Sequence, residues 1–396
     1  MNIQPIAYFA YSMRPGKEPS GLTTYVQAMC QGLKAHGVRP RVLTHFAEPG
    51  DPDAVLLPDP PVLRRAASVL ERLRPGKGMR LYGRAMLALG AWRLDRREAP
   101  SVIEVEEHAG LAGPLLRTPL RATVVLRLHG PHFLVAGANG TPWDDAARAD
   151  DGAERDCAER AAAVSAPSRD VLTRVREHWG LDLSSAVVIP NPTPIVPPDQ
   201  RWEHAPAGPI LFVGRFDRTK GADVVIRAFR ELAPGDPARE LWIVGPERPL
   251  HVDGRIHGVA TFLEAEIPDA SVRARVRFLG PRTPVEIAAY RRQSACVVVA
   301  SRFETFCLTA TEAMMTGCPL VASDAGALPE IVEDGRTGLL FRSEDPGDLA
   351  RAVRRILGDA DLASRLGATA LRTAEERYAP EVVAGRMLEF YRQVAA

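Results

Sequence analysis

Short β-branched runs alternate with longer amphipathic stretches along the chain, the pattern of parallel sheets whose strands are joined by helical crossovers. Residues 6–10 read as a first strand. Beyond a Gly/Pro-rich loop, Leu22, Val26, Met29, Cys30 and Leu33 recur at helical spacing, and Gly37 supplies a stop. Further strands are expected over 41–44, 102–105, 123–128, 161–164 and 186–189. Pro190-Asn191-Pro192-Thr193-Pro194, with Pro197 and Pro198 close behind, then interrupts the pattern. Prolines lack the donor that a ladder needs and stiffen the chain. The segment reads as a domain linker rather than a surface loop, because the strand–loop–helix pattern restarts beyond it. A second set of strands is expected over 210–213, 241–244, 276–279, 296–300 and 320–322. Residues 381–394 end the chain in a helix with apolar Val382, Met387, Leu388 and Tyr391.

Composition narrows the class. The 396 residues are 46% hydrophobic and 25% charged, as in ordinary soluble globular proteins. Gly 32 plus Pro 34 makes 66 residues, about 17% and below the roughly 25–30% of low-complexity chains. Lys+Arg 50 against Asp+Glu 49 leaves a net charge of +1, no field to drive the chain onto nucleic acid. No apolar run approaches the roughly 20 residues of a spanning helix. No basic n-region precedes the first apolar stretch, so no secretory signal is expected. Five spread cysteines with no paired metal spacing fit free thiols in a reducing cytoplasm.

The chemistry concentrates in the second half. At Gly214-Arg215-Phe216-Asp217-Arg218-Thr219-Lys220-Gly221 a strand ends, a cationic loop follows and a helix begins. Ligands of parallel α/β sheets bind at the carboxyl ends of strands, and an Arg fork with a Lys point charge suits a diphosphate. Ser301-Arg302-Phe303-Glu304-Thr305-Phe306-Cys307-Leu308-Thr309-Ala310-Thr311-Glu312 follows another strand. With Glu304 in the loop and Glu312 inside the helix, the two carboxylates would serve two parts of one extended ligand. The amides of Phe306, Cys307, Leu308 and Thr309 are expected as free donors at the helix start. Pro329-Glu330-Ile331-Val332-Glu333-Asp334-Gly335-Arg336-Thr337-Gly338 comes next.

These three ordered segments resemble the donor-binding domain of the GT-B-fold retaining glycosyltransferases of family 4 (group 1). In the first half, Ser20-Gly21, the helix after it and His36-Gly37 resemble the family's Gly-rich first loop, with Ser20 in place of one glycine. Leu126-Arg127-Leu128-His129-Gly130 resembles the strand that ends in the family's active-site histidine. Cys307 replaces a usual glycine and implies a bulkier pocket floor; the proline-rich hinge implies a stiffer linker.

The resemblance implies an α/β fold of GT-B architecture, two facing Rossmann-like domains with a cleft between them. The N-terminal acceptor-side domain is expected over 1–195 and the donor-binding domain over 196–376. A helix over 377–396 is expected to pack back on the first domain. It implies transfer of a glycosyl unit, of hexosyl type, from a UDP- or GDP-sugar to a hydroxyl of a small-molecule, glycan or lipid-linked acceptor (an antibiotic, polysaccharide or glycolipid precursor), with retention. Arg215 and Lys220 would stabilise the leaving diphosphate, Glu304 orient the sugar, Glu312 take the ribose hydroxyls and His129 reach the donor sugar. Gly21 would approach a phosphate, and the Pro281–Arg282 turn would meet the base. No metal or tightly bound cofactor is required by this scheme; Asp51-Pro52-Asp53 and the acidic stretch 144–156 read as solvated. A sugar-nucleotide epimerase or hydrolase, or a non-catalytic nucleotide-sugar-binding relative, stands as the alternative.

On the acceptor side, His132, Asn139, Trp143 and Asp144 offer an aromatic platform with hydrogen-bonding groups. Residues 63–100 interleave Arg64, Arg65, Arg72, Arg74, Lys77, Arg80, Arg84, Arg93, Arg96 and Arg97 with apolar side chains. Two readings stay open there. One is a helix packed on the N-terminal sheet with a solvated arginine face. The other is a surface for an anionic acceptor or a membrane carrying a lipid-linked one, with the protein cytoplasmic and peripheral to that membrane.

Overall fold

The computed structural model describes residues 4–13, 21–74, 76–252 and 254–395, without the side chain of Asn139. They divide into two units, Met1–Pro192 with Pro380–Ala396, and Thr193–Ala379. The division falls three residues from 195/196 and from 376/377. Two bonds tie Thr193 to the second unit: its amide donates to Tyr378 O at 2.8 Å, and its hydroxyl to Thr311 Oγ1 at 2.7 Å.

The first unit holds strands β1 (Ile6–Phe9), β2 (Pro40–Thr44), β3 (Ala54–Leu56), β4 (Val102–Glu106), β5 (Thr123–Arg127), β6 (Ala163–Ala166) and β7 (Val187–Val188). All run parallel in the order β3-β2-β1-β4-β5-β6-β7. Its helices are α1 (Gly21–Ala35), α2 (Pro61–Leu73), α3 (Gly78–Glu98), α4 (His132–Asn139), α5 (Asp145–Arg160) and α6 (Arg169–Trp179). A parallel sheet covered on both faces needs strands that are apolar throughout, and all four β1 side chains are buried.

In the second unit β8 (Ile210–Val213), β9 (Leu241–Val244), β12 (Val276–Gly280), β13 (Cys296–Val299), β14 (Leu320–Ser323) and β15 (Leu339–Phe341) form a parallel sheet in the order β12-β9-β8-β13-β14-β15. A hairpin of β10 (Leu250–Val252) and β11 (Arg255–His257) is inserted after β9. The helices are α7 (Ala222–Leu232), α8 (Val259–Glu266), α9 (Ala270–Arg273), α10 (Pro284–Gln293), α11 (Leu308–Thr316), α12 (Leu328–Ile331), α13 (Pro346–Gly358) and α14 (Ala360–Tyr378). Finally α15 (Pro380–Val394) returns to the first unit, where Val383, Met387, Leu388 and Tyr391 share a core with Tyr8, Met29 and Leu33.

Strand order reverses direction between β1 and β4 in one sheet and between β8 and β13 in the other. In open α/β sheets such switch points leave a crevice at the carboxyl ends of the strands, where ligands bind. Four strands escape the hydrophobic pattern: β3, β10, β11 and β15, each three residues long and too short for a period to register. Among the described residues no helix is long and apolar enough to cross a membrane.

Candidate active site

The loop after β8 and the loop after β13 lie side by side at the second switch point. Hydrogen bonds and an ion pair join them. Lys220 Nζ meets Glu304 Oε1 at 2.6 Å, and the amide of Arg302 donates to Thr219 O at 2.8 Å. The Arg302 guanidinium also donates to the Arg218 carbonyl. Ser301 Oγ donates to the same Glu304 oxygen at 2.6 Å. Burial disfavours charge on Lys220, but the Glu304 carboxylate outweighs it and holds the ammonium above its ordinary pKa. Arg215 is near enough to pull that value down, so the two cations share one neighbourhood. Arg215 is itself aimed by Asp217, whose Oδ2 accepts from Arg215 Nε at 2.6 Å while Oδ1 caps the Lys220 amide at 2.9 Å.

The backbone explains why the loops can approach. Gly221 has φ +73°, and a β-carbon there would fall 1.9 Å from Ala300 O, so only glycine lets α7 start against the end of β13. Gly326, at φ +56°, lies against Glu304, where a β-carbon would sit 2.5 Å from Glu304 O. The amide of Ala327 then donates to that carbonyl at 2.9 Å. Glu304 is thus held from its main chain as well as from its carboxylate.

Arg302 carries a role that the sequence reading missed. It makes two parallel bonds of 2.8 Å to Asp223 on α7 and one of 2.6 Å to Glu344. A bidentate Arg–carboxylate pair fixes geometry as well as charge. It welds the two loops together behind Lys220 and Glu304.

The remaining expected residues fall in different places. Glu312, on the second turn of α11, pairs with the buried Arg291 and keeps a partly exposed carboxylate. Only Leu308 and Thr309 are first-turn residues of α11; Phe306 and Cys307 precede it, and Ala310 and Thr311 already donate to Cys307 O. Phe306 is buried with its ring 5.7 Å from that of Tyr378, so its side chain serves the core. Cys307 is buried at φ +91°, a conformation costly for a residue with a β-carbon. Its thiol, raised by burial and then by Glu304, stays protonated. Arg282 follows β12 at the sheet edge and pairs with Glu286 at 3.4 Å; no bond joins it to the two switch-point loops among the described residues.

In the first unit the end of β5 places His129, half-buried, with its ring edge-on to Tyr25 at 4.7 Å. Burial, reinforced by Arg127, drives its pKa well below the ordinary value, so the imidazole is neutral. Arg127 is fully buried and donates to Ile189 O and Asn191 Oδ1, both at 2.7 Å.

Two glutamates hold the His129 loop. Glu107, just past β4, accepts the amides of His129 at 2.9 Å and Gly130 at 2.6 Å. Glu154 on α5 accepts the amides of His132 at 2.7 Å and Ala109 at 2.8 Å. Burial and then the charge of Glu107 push the Glu154 carboxyl up to about 8. The expectation of a solvated acidic face over 144–156 therefore holds only in part: Asp144 and Asp145 are exposed, but Asp150 and Glu154 are buried, the first against Arg80, the second against main-chain donors.

His132 opens α4, with Nε2 buried and without a partner among the described residues; its ring lies 6.1 Å from Trp143, which is 41% exposed. Asn139 closes α4, and its side chain lies outside the described residues. So does Ser20, leaving Gly21 as the exposed first residue of α1. Asp53 is engaged by Lys34 at 2.5 Å, and Asp51 caps the Asp53 amide. Among the described residues no three His, Cys, Asp or Glu side chains cluster as metal ligands would.

Comparison with known proteins gives the same picture twice over. The family model for glycosyl transferases group 1 matches residues 204–373, and that for Glycosyltransferase Family 4 matches residues 19–195. The chain belongs to glycosyltransferase family 4. This glycosyltransferase is 28% identical over 387 residues to the D-inositol 3-phosphate glycosyltransferase of Corynebacterium efficiens, covering 91% of this chain and 88% of that one. The enzyme of the same name from Nocardia farcinica is 37% identical over 171 residues, 43% of this chain and 37% of its own. Sucrose-phosphate synthase from Thermosynechococcus elongatus shares the fold, with a TM-score of 0.73 at 23% identity over 99% of both chains. So does Anabaena HepE in complex with UDP and glucose, with a TM-score of 0.67 at 17% identity over 98% of this chain and 100% of that one. The glycosyltransferase is thus an α/β protein of GT-B architecture, built from two parallel-sheet units.

Proposed function

We propose that this glycosyltransferase moves a hexosyl unit from a nucleotide-diphosphate sugar to a hydroxyl of a polyol acceptor, with retention at the anomeric carbon. The observation that carries the reading is the Lys220–Glu304 pair, with Arg215 beside it, at the β8/β13 switch point. The bond from the anomeric carbon to the diphosphate breaks ahead of attack. Negative charge then grows on the leaving phosphate, where two preorganised cations in a half-buried loop stabilise it more than water would. The acceptor oxygen bonds to the anomeric carbon on the face the phosphate leaves, and its proton passes to a departing phosphate oxygen. Glu304 orients the sugar hydroxyls and Glu312 takes the ribose hydroxyls, so that nucleotide binding positions the reacting centre. The amides of Leu308 and Thr309 supply further donors to anionic oxygens.

His129, neutral, is assigned a hydrogen bond to the sugar, and His132 with Trp143 an acceptor platform. The UDP in a solved neighbour makes uridine the first base to try, with guanosine second. The curated relatives make a phosphorylated cyclitol the first acceptor. The first part of the basic segment over 63–100, on α2, is read separately, as a surface for a bilayer rather than for either substrate.

A thermal-shift screen against nucleotide sugars tests the donor, since a ligand at 100 times its Kd adds about 2.7 kcal/mol of stability. The stabilising donor, incubated with cyclitol phosphates and simple polyols, is expected to yield a glycoside of unchanged anomeric configuration by NMR. Rapid consumption of donor without any acceptor would favour a hydrolase or epimerase instead.

A further inference from the structure

We propose that helix α2 is a docking surface for an anionic lipid bilayer. The structure splits the basic segment in two. Helix α3 is an ordinary packed element, with Met86, Leu87, Ala91 and Leu94 buried. Helix α2 is not: of its thirteen residues only Ala67 is buried. Val62, Ala66, Val69 and Leu73 recur at i, i+4, i+7 and i+11 and all face solvent, with Val62 and Leu73 each 75% exposed. This is an aliphatic stripe turned outward, the reverse of what a core-packing helix shows.

Charge beside the stripe names its partner. Arg65 and Arg72, seven residues apart, flank it along one edge. Arg65, Arg72, Arg74 and Lys77 are exposed and make no ion pair among the described residues. The one acid of the helix does not neutralise them: Glu71 turns its carboxylate to the amides of Gly76 at 2.5 Å and Met79 at 3.0 Å. The chain as a whole carries only +1, so this excess is local. A second copy of the chain would bring like charges together. An outward aliphatic stripe edged by unneutralised cations matches a surface that is apolar below and anionic above. The proposal does not rest on the assigned reaction, because the stripe shares no residue with either switch point.

Vesicle flotation tests it directly. The whole protein is mixed at low salt with vesicles of equal parts phosphatidylglycerol and phosphatidylcholine, and separately with phosphatidylcholine alone. It is expected to float with the first and not the second, and to be released as salt screens the charges. Arg65→Ala with Arg72→Ala should weaken partition by about fivefold per arginine removed. Val69→Asp with Leu73→Asp should abolish it, while both doubles keep the parent's melting temperature because the side chains are exposed. Failure of the parent to float, or flotation undiminished in both doubles, overturns the proposal. So does a dimer that the Asp double dissolves, since that would make the stripe a contact between copies. Loss of donor binding in the thermal screen with flotation intact would count against the assigned reaction and leave this surface standing.

Discussion

The Lys220 ammonium lies 2.6 Å from the Glu304 carboxylate, and this pair bridges the loops that follow β8 and β13. In the proposed reaction each partner also meets the sugar donor. Replacing Lys220 by Met leaves Glu304 half-buried and deprived of its cation, with Ser301 still donating to it. Lys220→Met is expected to lower turnover on the order of 10²–10³-fold. Glu304→Gln keeps the shape and the serine bond but releases the lysine. It is expected to raise the KM for the sugar donor and to lower kcat, without abolishing binding of the free nucleoside diphosphate. Steady-state kinetics on the two variants check both statements; parent-like turnover in either removes that residue from the site.

The clamp on the His129 loop gives a second expectation. Glu107→Gln replaces one acceptor oxygen by an amide group that cannot accept from Gly130 or His129, leaving a buried donor unpaired. Such a loss costs about 1–3 kcal/mol, or roughly 2–4 °C of Tm per kcal/mol for a unit of this size. Hydrogen exchange should accelerate at 129–130 before it does so in β4. Unchanged protection at those two amides would show that the carboxylate does not hold them.

Glu154 makes stability fall as pH rises. Its carboxyl is lifted from 4.5 to about 8, first by burial and then by Glu107. The native state therefore binds this proton more tightly than the unfolded chain does. The contribution is fully present below about 4.5 and is lost as pH climbs through about 8. Urea titrations at pH 5, 6.5 and 8 (round values spanning roughly that window) should show the parent losing stability relative to Glu154→Gln. A parent that gains on the variant over the same range would mean that Glu154 is ionised throughout.

Histidine titration offers a fourth check. The His129 ring, driven down by burial and by Arg127, is expected to stay neutral where an ordinary histidine of pKa 6.5 takes its proton. Imidazole carbon–proton correlations recorded from pH 8 down to 5 (round values, roughly bracketing ordinary histidine behaviour) should leave the His129 signal flat. A midpoint near the ordinary value would withdraw the neutral-imidazole role.

The parallel architecture was legible because a strand covered on both faces must be apolar throughout, as Cys296–Val299 is, and because the prolines from 190 to 198 break the alternation. Strand β15 was not, since Leu339–Phe341 is too short to show a period and owes its place to pairing with β14. The cation loop and the Glu304 helix start were legible as motifs. Glu107, Glu154 and Arg302 were not: they act on partners 22, 22 and 79 positions away, the glutamates on His129 and His132 amides and the arginine on Asp223. Main-chain acceptance leaves no mark on the sequence of the partner. For the basic segment the sequence left two readings open, because apolar spacing is the same in a packed and an outward stripe, and the structure turns that of α2 outward.

The grip of Arg215 and Lys220 on a diphosphate is tested most directly by isothermal titration of UDP, GDP, uridine and guanosine into the parent and into Arg215→Ala/Lys220→Ala. One diphosphate should bind the parent far more tightly than its own nucleoside, and the double variant should lose that difference. Equal binding of nucleoside and diphosphate by the parent, or an undiminished diphosphate preference in the variant, would contradict it.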